Sequence, residues 1–261
     1  MEEKSEIEKT EFKNTEPETI GRLLVTGDLH GDAAALTMIG KLMEPHDMLF
    51  VAGDFGFVFF NDEKENNFLN DVDLFLRKNG KNESYIVFVD GNHENHTALA
   101  AFPVEEWNGA RVHKIRSHII HVLRGEVITL KNHNIFCFGG AYSIDRKYRV
   151  LNESYWKEEV PNDKEMENGN KNLKRHNNKI DYVISHTCPL NLVPALLGRG
   201  GFHAVPEERP LQNYLQFVSE EVSDSLIKYY FGHWHQDRCI GDKYRAIYLD
   251  LLDLQTGEKI W

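Results

Sequence analysis

The chain has 261 residues, 41% hydrophobic and 27% charged, which is enough for one α/β domain with a sizeable core and close to the averages of soluble globular proteins. Its formal net charge of -11 disfavours non-specific adhesion to duplex nucleic acid or an anionic membrane, because both select positive surface. No apolar run approaches the roughly 18 residues of a membrane span, and the first residues lack the apolar region of a signal peptide.

Residues 1–19 are rich in Glu, Lys, Thr and Asn with little to bury and read as a flexible lead-in, leaving residues 20–261 as a single domain. A short apolar run at 22–26 reads as a buried strand and ends in GDLHGD (27–32); Ala34, Leu36, Ile39, Leu42 and Met43 then mark a helix after Asp32. A second strand at 47–52 ends in GDFG (53–56), and Phe68, Val72, Phe75 and Leu76 give a helical stripe within 63–78. A third strand at 85–89 ends in GNHE (91–94), completing a βαβ opening. Three closely spaced apolar runs, 119–123, 127–130 and 135–138, read as antiparallel strands joined by tight turns.

The segment GGAYSIDRKYR (139–149) follows, with Arg146, Lys147 and Arg149 after a turn. Tyr155 and Trp156 are expected to pack the following helix against the sheet, and the Asn-, Lys- and Glu-rich stretch 162–179 reads as an exposed insertion. A fourth strand at 181–184 runs into SHTCP (185–189). Residues 197–210, with Gly198, Gly200, Gly201, Pro206 and Pro210, read as a long irregular loop of the kind that often forms a lid. The fifth strand, 228–231, ends in GHWH (232–235).

Each of the five motifs begins where a β-branched or aromatic run ends, and open α/β sheets bind ligands outside the carboxyl ends of their strands. Asp28, His30, Asp54, Asn92, His186, His233 and His235 therefore converge on one crevice, as oxygen and imidazole donors with no thiolate. That set suits Mn²⁺, Fe²⁺ or Zn²⁺. The histidines in no motif, His46, His113, His118, His121, His133 and His176, read as structural or surface residues, and His96 as a helix-surface residue. Cys137, Cys188 and Cys239 show no CxxC spacing, which points to a reducing cytoplasm, and Cys188 reads as a packed thiol because no dedicated base accompanies it.

The order Asp-x-His, Gly-Asp, Gly-Asn-His, His and Gly-His-x-His resembles the calcineurin-like metallophosphoesterase superfamily over about residues 22–250. The resemblance implies an α/β fold built as a four-layer α/β/β/α sandwich with two mixed β-sheets. It also implies two divalent metal ions (Mn, Fe or Zn), with Asp28, His30, Asp54 and His235 on one, Asp54, Asn92, His186 and His233 on the other, and Asp54 shared. Such a pair clamps the oxygens of an in-line displacement and lowers the pKa of bound water, so that metal-bound hydroxide attacks a phosphomonoester or phosphodiester.

The resemblance further implies that His93 protonates the leaving group or stabilises the phosphoryl charge, with Asp90 or Glu94 expected to orient it and Arg146 or Arg149 expected to position the substrate. The expected partner is a phosphate-ester substrate such as a nucleotide or an RNA end. The protein serine/threonine phosphatases share GDLHG and GNHE but carry an Asp-Arg pair where this chain has Phe57 and Val58 and an Arg where it has Asp90, which argues against a phosphoprotein substrate. The rival reading is a catalytically idle member of the superfamily acting as a protein-binding scaffold.

Overall fold

The computed structural model describes residues 19–78, 83–197 and 205–261. Most of the expected lead-in and residues 198–204 of the expected 197–210 loop lie outside the described residues; the described part of that loop is not irregular throughout, since Leu197 ends a helix, 206–208 form a 3₁₀ turn and 209–210 open the next helix. The elements run β1 (Leu23–Thr26), α1 (Ala33–Leu42), β2 (Met48–Val51), α2 (Glu63–Arg77), β3 (Tyr85–Phe88), α3 (His96–Ala100), β4 (Val104–Trp107), β5 (Ala110–Arg116) and β6 (Ile119–Val122). They continue with β7 (Glu126–Leu130), β8 (His133–Phe138), α4 (Asp163–Arg175), β9 (Tyr182–Ser185), α5 (Val193–Leu197), α6 (Arg209–Glu221), β10 (Lys228–Phe231), β11 (Arg238–Ile240), β12 (Tyr244–Ala246) and β13 (Leu252–Asp253).

Two mixed sheets result among the described residues, one in the order β13-β1-β2-β3-β6-β5-β4 and the other in the order β11-β12-β10-β9-β8-β7. The strand residues divide by alternation, since successive side chains leave opposite faces of a strand. Leu23, Val25, Met48 and Phe50 enter a core between the sheets together with Ile128, Ile135, Ile184 and Tyr230. Leu24, Leu49, Val51 and Phe88 face the other way, onto Leu36 and Ile39 of α1 and Leu69 and Leu76 of α2. On the far side of the second sheet, Phe136, Val183 and Phe231 meet Leu173 of α4 and Leu211, Leu215 and Val218 of α6. Strands buried on both faces carry uninterrupted apolar runs, and the order helix, sheet, sheet, helix is the four-layer α/β sandwich.

Local chemistry sets the helix starts. The Asp32 carboxylate accepts the N–H groups of Ala34 and Ala35, satisfying donors that the first turn of α1 leaves free. Asp62 does the same for Glu65 at α2.

Three expectations change. The runs at 119–123 and 127–130 do not pair: β6 lies in the first sheet between β3 and β5, and β7 lies in the second beside β8. The stretch 162–179 is not an irregular insertion but contains α4, opened by a capping box in which Asn162 and Glu165 bond each other's backbone. Few apolar residues suffice there because Gly169, Asn172 and Leu173 are the ones turned inward. His96 is buried rather than on a helix surface, because the short α3 sets its ring over Asp90, with Nδ1 4.0 Å from Oδ2, and close to the ring of Trp156. The unassigned His113, His118 and His121 are also buried; His113 and His121 face each other on β5 and β6 at 3.2 Å between Nδ1 atoms.

The turn that carries the chain from one sheet to the other, between β6 and β7, allows little freedom. Gly125 adopts φ +78°, and a Cβ there would lie 2.6 Å from both N and Cα of Gly169 in α4. Gly125→Ala should therefore strain the backbone and press against another backbone, losing roughly 2 kcal/mol or more of stability. A urea unfolding curve with an unchanged midpoint would show that the approach of α4 to this turn is not a constraint.

Candidate metal centre

β1, β2 and β3 are adjacent and parallel in the first sheet, as are β9 and β10 in the second, so their carboxyl ends open on the same edge of the sandwich. Asp28 and His30 follow β1, Asp54 follows β2, Asn92 and His93 follow β3, His186 follows β9, and His233 and His235 follow β10. Interlocking backbone holds them. A Cβ on Gly53 would lie 2.1 Å from Nδ1 of His186, one on Gly91 2.1 Å from Oδ1 of Asp54, and one on Gly232 2.1 Å from Oδ1 of Asp28. The leading glycines of these three motifs thus leave space for candidate ligands from other motifs. His30, Asp54, His233 and His235 themselves adopt φ of +47°, +46°, +64° and +47°, a region that costs a non-glycine residue about 1 kcal/mol or more and persists where the surroundings dictate it.

The side chains gather in two sets. In the first, His235 Nε2 lies 3.1 Å from Oδ2 of Asp28, and His30 Nε2 lies 3.0 Å from His235 Nε2. In the second, Oδ1 of Asn92 lies 3.0 Å from Nε2 of His186 and 3.1 Å from Nδ1 of His233. Asp54 stands between them, with Oδ2 3.7 Å from Nδ1 of His30 and Oδ1 3.4 Å from Nε2 of His186. Among the described residues, the donor atoms of Asp28, His30 and His235 lie within 4.8 Å of one another, as do those of His30, Asp54 and His93.

Several contacts fix the direction each donor faces. Nδ1 of His186 is 2.9 Å from the carbonyl of Ala52, which can only accept, so Nδ1 donates there and Nε2 is the nitrogen turned toward the site. The Asn92 amide donates to Oγ of Ser143, which in turn donates to Glu159, so the Asn92 oxygen is the atom turned inward. The ring of Tyr248 stacks on His235 at 4.5 Å. Backbone N–H groups of His93 and His233 donate to the carboxylates of Asp54 and Asp28.

Electrostatics follow from burial. Burial alone would push the Asp54 carboxyl upward, but His186 first, then His93 and His30, hold it well below the usual carboxylate range. Burial presses His186 down, yet Asp54 and then Asp28 raise it to about 10. His233 is driven down to about 3, mainly by burial and then by His186, which keeps its lone pair available. Two buried carboxylates facing oxygen and imidazole donors form a pocket that stabilises positive charge, and these donors fit a pair of divalent cations.

His93 has neighbours other than those expected. Glu94 accepts N–H groups from Gly56 and Gly91, tying the second and third motif loops together. Asp90 is paired with Arg124 and His121. The group beside the His93 ring is Arg149, whose Nη2 lies 2.9 Å from Nε2, while its Nε bonds Asp145. Arg146 turns the other way, onto buried Glu159 at 2.7 Å and over the ring of Tyr142.

Sequence reasoning passed over Ser143, Tyr248 and Glu208. Ser143 had a signal, standing in the segment noted for its arginines; Tyr248 and Glu208 lie in no motif. Glu208 is buried with Oε1 3.4 Å from Nε2 of His233, and burial first of all raises its carboxyl to about 7. A cleft of about 700 Å³ opens over the centre, lined by Asp54, Asn92, His93 and His233 on one side and by Ile144, Leu196, Val205 and Trp234 among the rest.

Compared with known proteins, the chain matches the family described as calcineurin-like phosphoesterase over residues 21–237. No curated protein sequence matches it. Among solved structures it is similar to phosphopantetheinyl hydrolase from Mycobacterium tuberculosis, at 15% identity, covering 87% of this chain and 89% of that one with a TM-score of 0.39. The family match takes in every motif from Asp28 to His235, and the chain belongs to the calcineurin-like phosphoesterase family, as a metal-dependent phosphoester hydrolase.

Proposed function

We propose that the chain hydrolyses the phosphomonoester or phosphodiester of a small organic compound, using two divalent ions held by Asp28, His30, Asp54 and His235 on one side and by Asp54, Asn92, His186 and His233 on the other. The observation that carries this reading is Asp54, one oxygen of which faces His30 while the other faces His186. When bound, the ion pair supplies an activated water and polarises the phosphoryl oxygens.

The protein's own groups do the rest. Asp54 and Asp28 supply the charge, and the N–H groups of His93 and His233 keep those carboxylates in place. His93, at the wall of the cleft, is placed to protonate the departing oxygen or to bond a phosphoryl oxygen. Arg149 stands beside it as a guanidinium for substrate phosphate, whereas Arg146 is engaged by Glu159.

The cleft volume of about 700 Å³ is in the range that takes a whole small molecule, which supports a nucleotide-sized ester. A phosphoprotein substrate is not supported: Phe57 and Val58 are core residues, and Asp90 is buried against Arg124. The three free cysteines, two of them buried, support a cytoplasmic setting.

Elemental analysis of protein equilibrated with Mn²⁺ should find close to two ions per chain, and Asp54→Asn should weaken both sites and remove hydrolysis of an aryl phosphate. Cys188→Ser should keep turnover within several-fold of the parent, because burial holds that thiol far above its ordinary pKa, where it is a poor nucleophile. One ion or none in the parent, or a folded and metal-loaded Cys188→Ser protein without activity, would refute this chemistry.

His93→Asn should retain both ions and lower kcat by about 10²- to 10⁴-fold on an ester with a poor leaving group, the range of a lost general acid. The loss should shrink for a nitrophenyl ester, whose anion departs without a proton. Equal losses across leaving groups would assign His93 to charge stabilisation, and loss of an ion would place it among the ligands.

A further inference from the structure

We infer that Glu208 is a positioning residue for His233, an assignment that rests on His233 serving as a ligand to the second ion. His233 has two ring nitrogens with different surroundings. Nδ1 faces the centre, 3.1 Å from Oδ1 of Asn92, and Nε2 faces Glu208, 3.4 Å from Oε1. An imidazole can direct a lone pair into the centre only if its proton sits on the opposite nitrogen, and an acceptor at that nitrogen selects this tautomer.

Glu208 is such an acceptor. It is 2% exposed. Its Oε2 accepts from the Nε2 amide of Gln212, one helical turn later and itself fully buried, at 3.1 Å. Its Oε1 meets no donor in close hydrogen-bond geometry among the described residues, although the Thr187 side chain and the Tyr142 N–H also act on this carboxyl and lower it. A buried acceptor that lacks a close donor costs stability, and Nε2–H of His233 is near enough to supply one. The 3.4 Å separation is at the long end of hydrogen-bond reach.

The pair also links the centre to the second sheet's outer helix layer, since Glu208 closes the turn that leads into α6. The relay Gln212, Glu208, His233 thus parallels the Glu159, Ser143, Asn92 relay on the other donor of the same set. Asn92 and His233 are each backed by a buried carboxylate, whereas His186 is backed by the carbonyl of Ala52.

The test uses the full chain, with Mn²⁺ titrated calorimetrically into parent, Glu208→Ala and Glu208→Gln proteins and Co²⁺ absorption as a second readout. Glu208→Ala should weaken one of the two Mn²⁺ sites by about 10- to 100-fold, leave the other within about two-fold, and alter the Co²⁺ bands of one site. Glu208→Gln should recover most of the affinity, since its oxygen can still accept from Nε2–H and Gln212 has an unpartnered Oε1 to offer the new amide. Unchanged affinity and spectrum in Glu208→Ala would overturn the assignment. So would equal weakening of both sites with a lower melting temperature of the metal-free protein, which marks a role in folding alone. The parent's own stoichiometry separates this question from the dinuclear reading: fewer than two ions there refutes that reading and the assignment with it.

Discussion

The centre depends on how closely its loops approach one another. Where Gly53, Gly91 and Gly232 would carry a methyl group, the structure places His186, Asp54 and Asp28, each 2.1 Å from the would-be carbon. Any other residue at one of these positions displaces a donor contributed by a different strand. The arrangement is reciprocal, since Gly53 and Gly232 belong to motifs that themselves supply donors to the site. The left-handed conformations of His30, Asp54, His233 and His235 follow from this, because a chain that must turn within two or three residues of a strand end has few other ways to aim its side chain inward.

Close approach concentrates charge. Asp28 and Asp54 are almost fully buried, and burial of an ionised carboxylate is costly unless opposite charge or donated hydrogen bonds offset it. Here His186 is pulled to about 10 by Asp54 and Asp28, after burial has worked against it, while burial and then His186 drive His233 down to about 3. One imidazole takes up the field and another is spared. That division is the electrostatic imprint of a cavity shaped for cations, and it explains why a chain with net charge -11 can still attract a phosphate once that field is neutralised.

The catalytic edge was legible in the sequence because it is written in local pieces. A buried strand announces itself by a continuous apolar run, and a glycine followed by a donor marks where the run must turn, so Asp28, His30, Asp54, Asn92, His186, His233 and His235 could be placed in one crevice from five short motifs. What was not legible depends on tertiary partners. The separation of β6 from β7 into different sheets turns on Gly125 meeting Gly169, and no periodicity carries that. α4 hid behind a polar composition because its capping box and a narrow buried face do the work that an apolar stripe does elsewhere. His96 and Glu208 are single polar residues whose burial is decided by what folds over them. Glu94 shows the reverse error: it sits next to His93 in sequence, but its carboxylate binds backbone on either side of the centre instead.

The same contrast separates the candidate donors from the arginines near them. The donors come from strand ends that the two sheets hold rigidly in register. The guanidinium nearest to them comes from elsewhere, from the 3₁₀ segment after β8, where Asp145 orients Arg149 toward His93 and Glu159 draws Arg146 away. Directly after the second motif the chain places Phe57 and Val58, which are packed in the core beneath α2. The Arg149 guanidinium beside His93 is therefore carried on a short excursion between two strands and not on a strand end. The two parts touch at Ser143, whose hydroxyl accepts from the Asn92 amide and donates to Glu159, so the segment that carries Arg149 also holds one of the candidate donors in place.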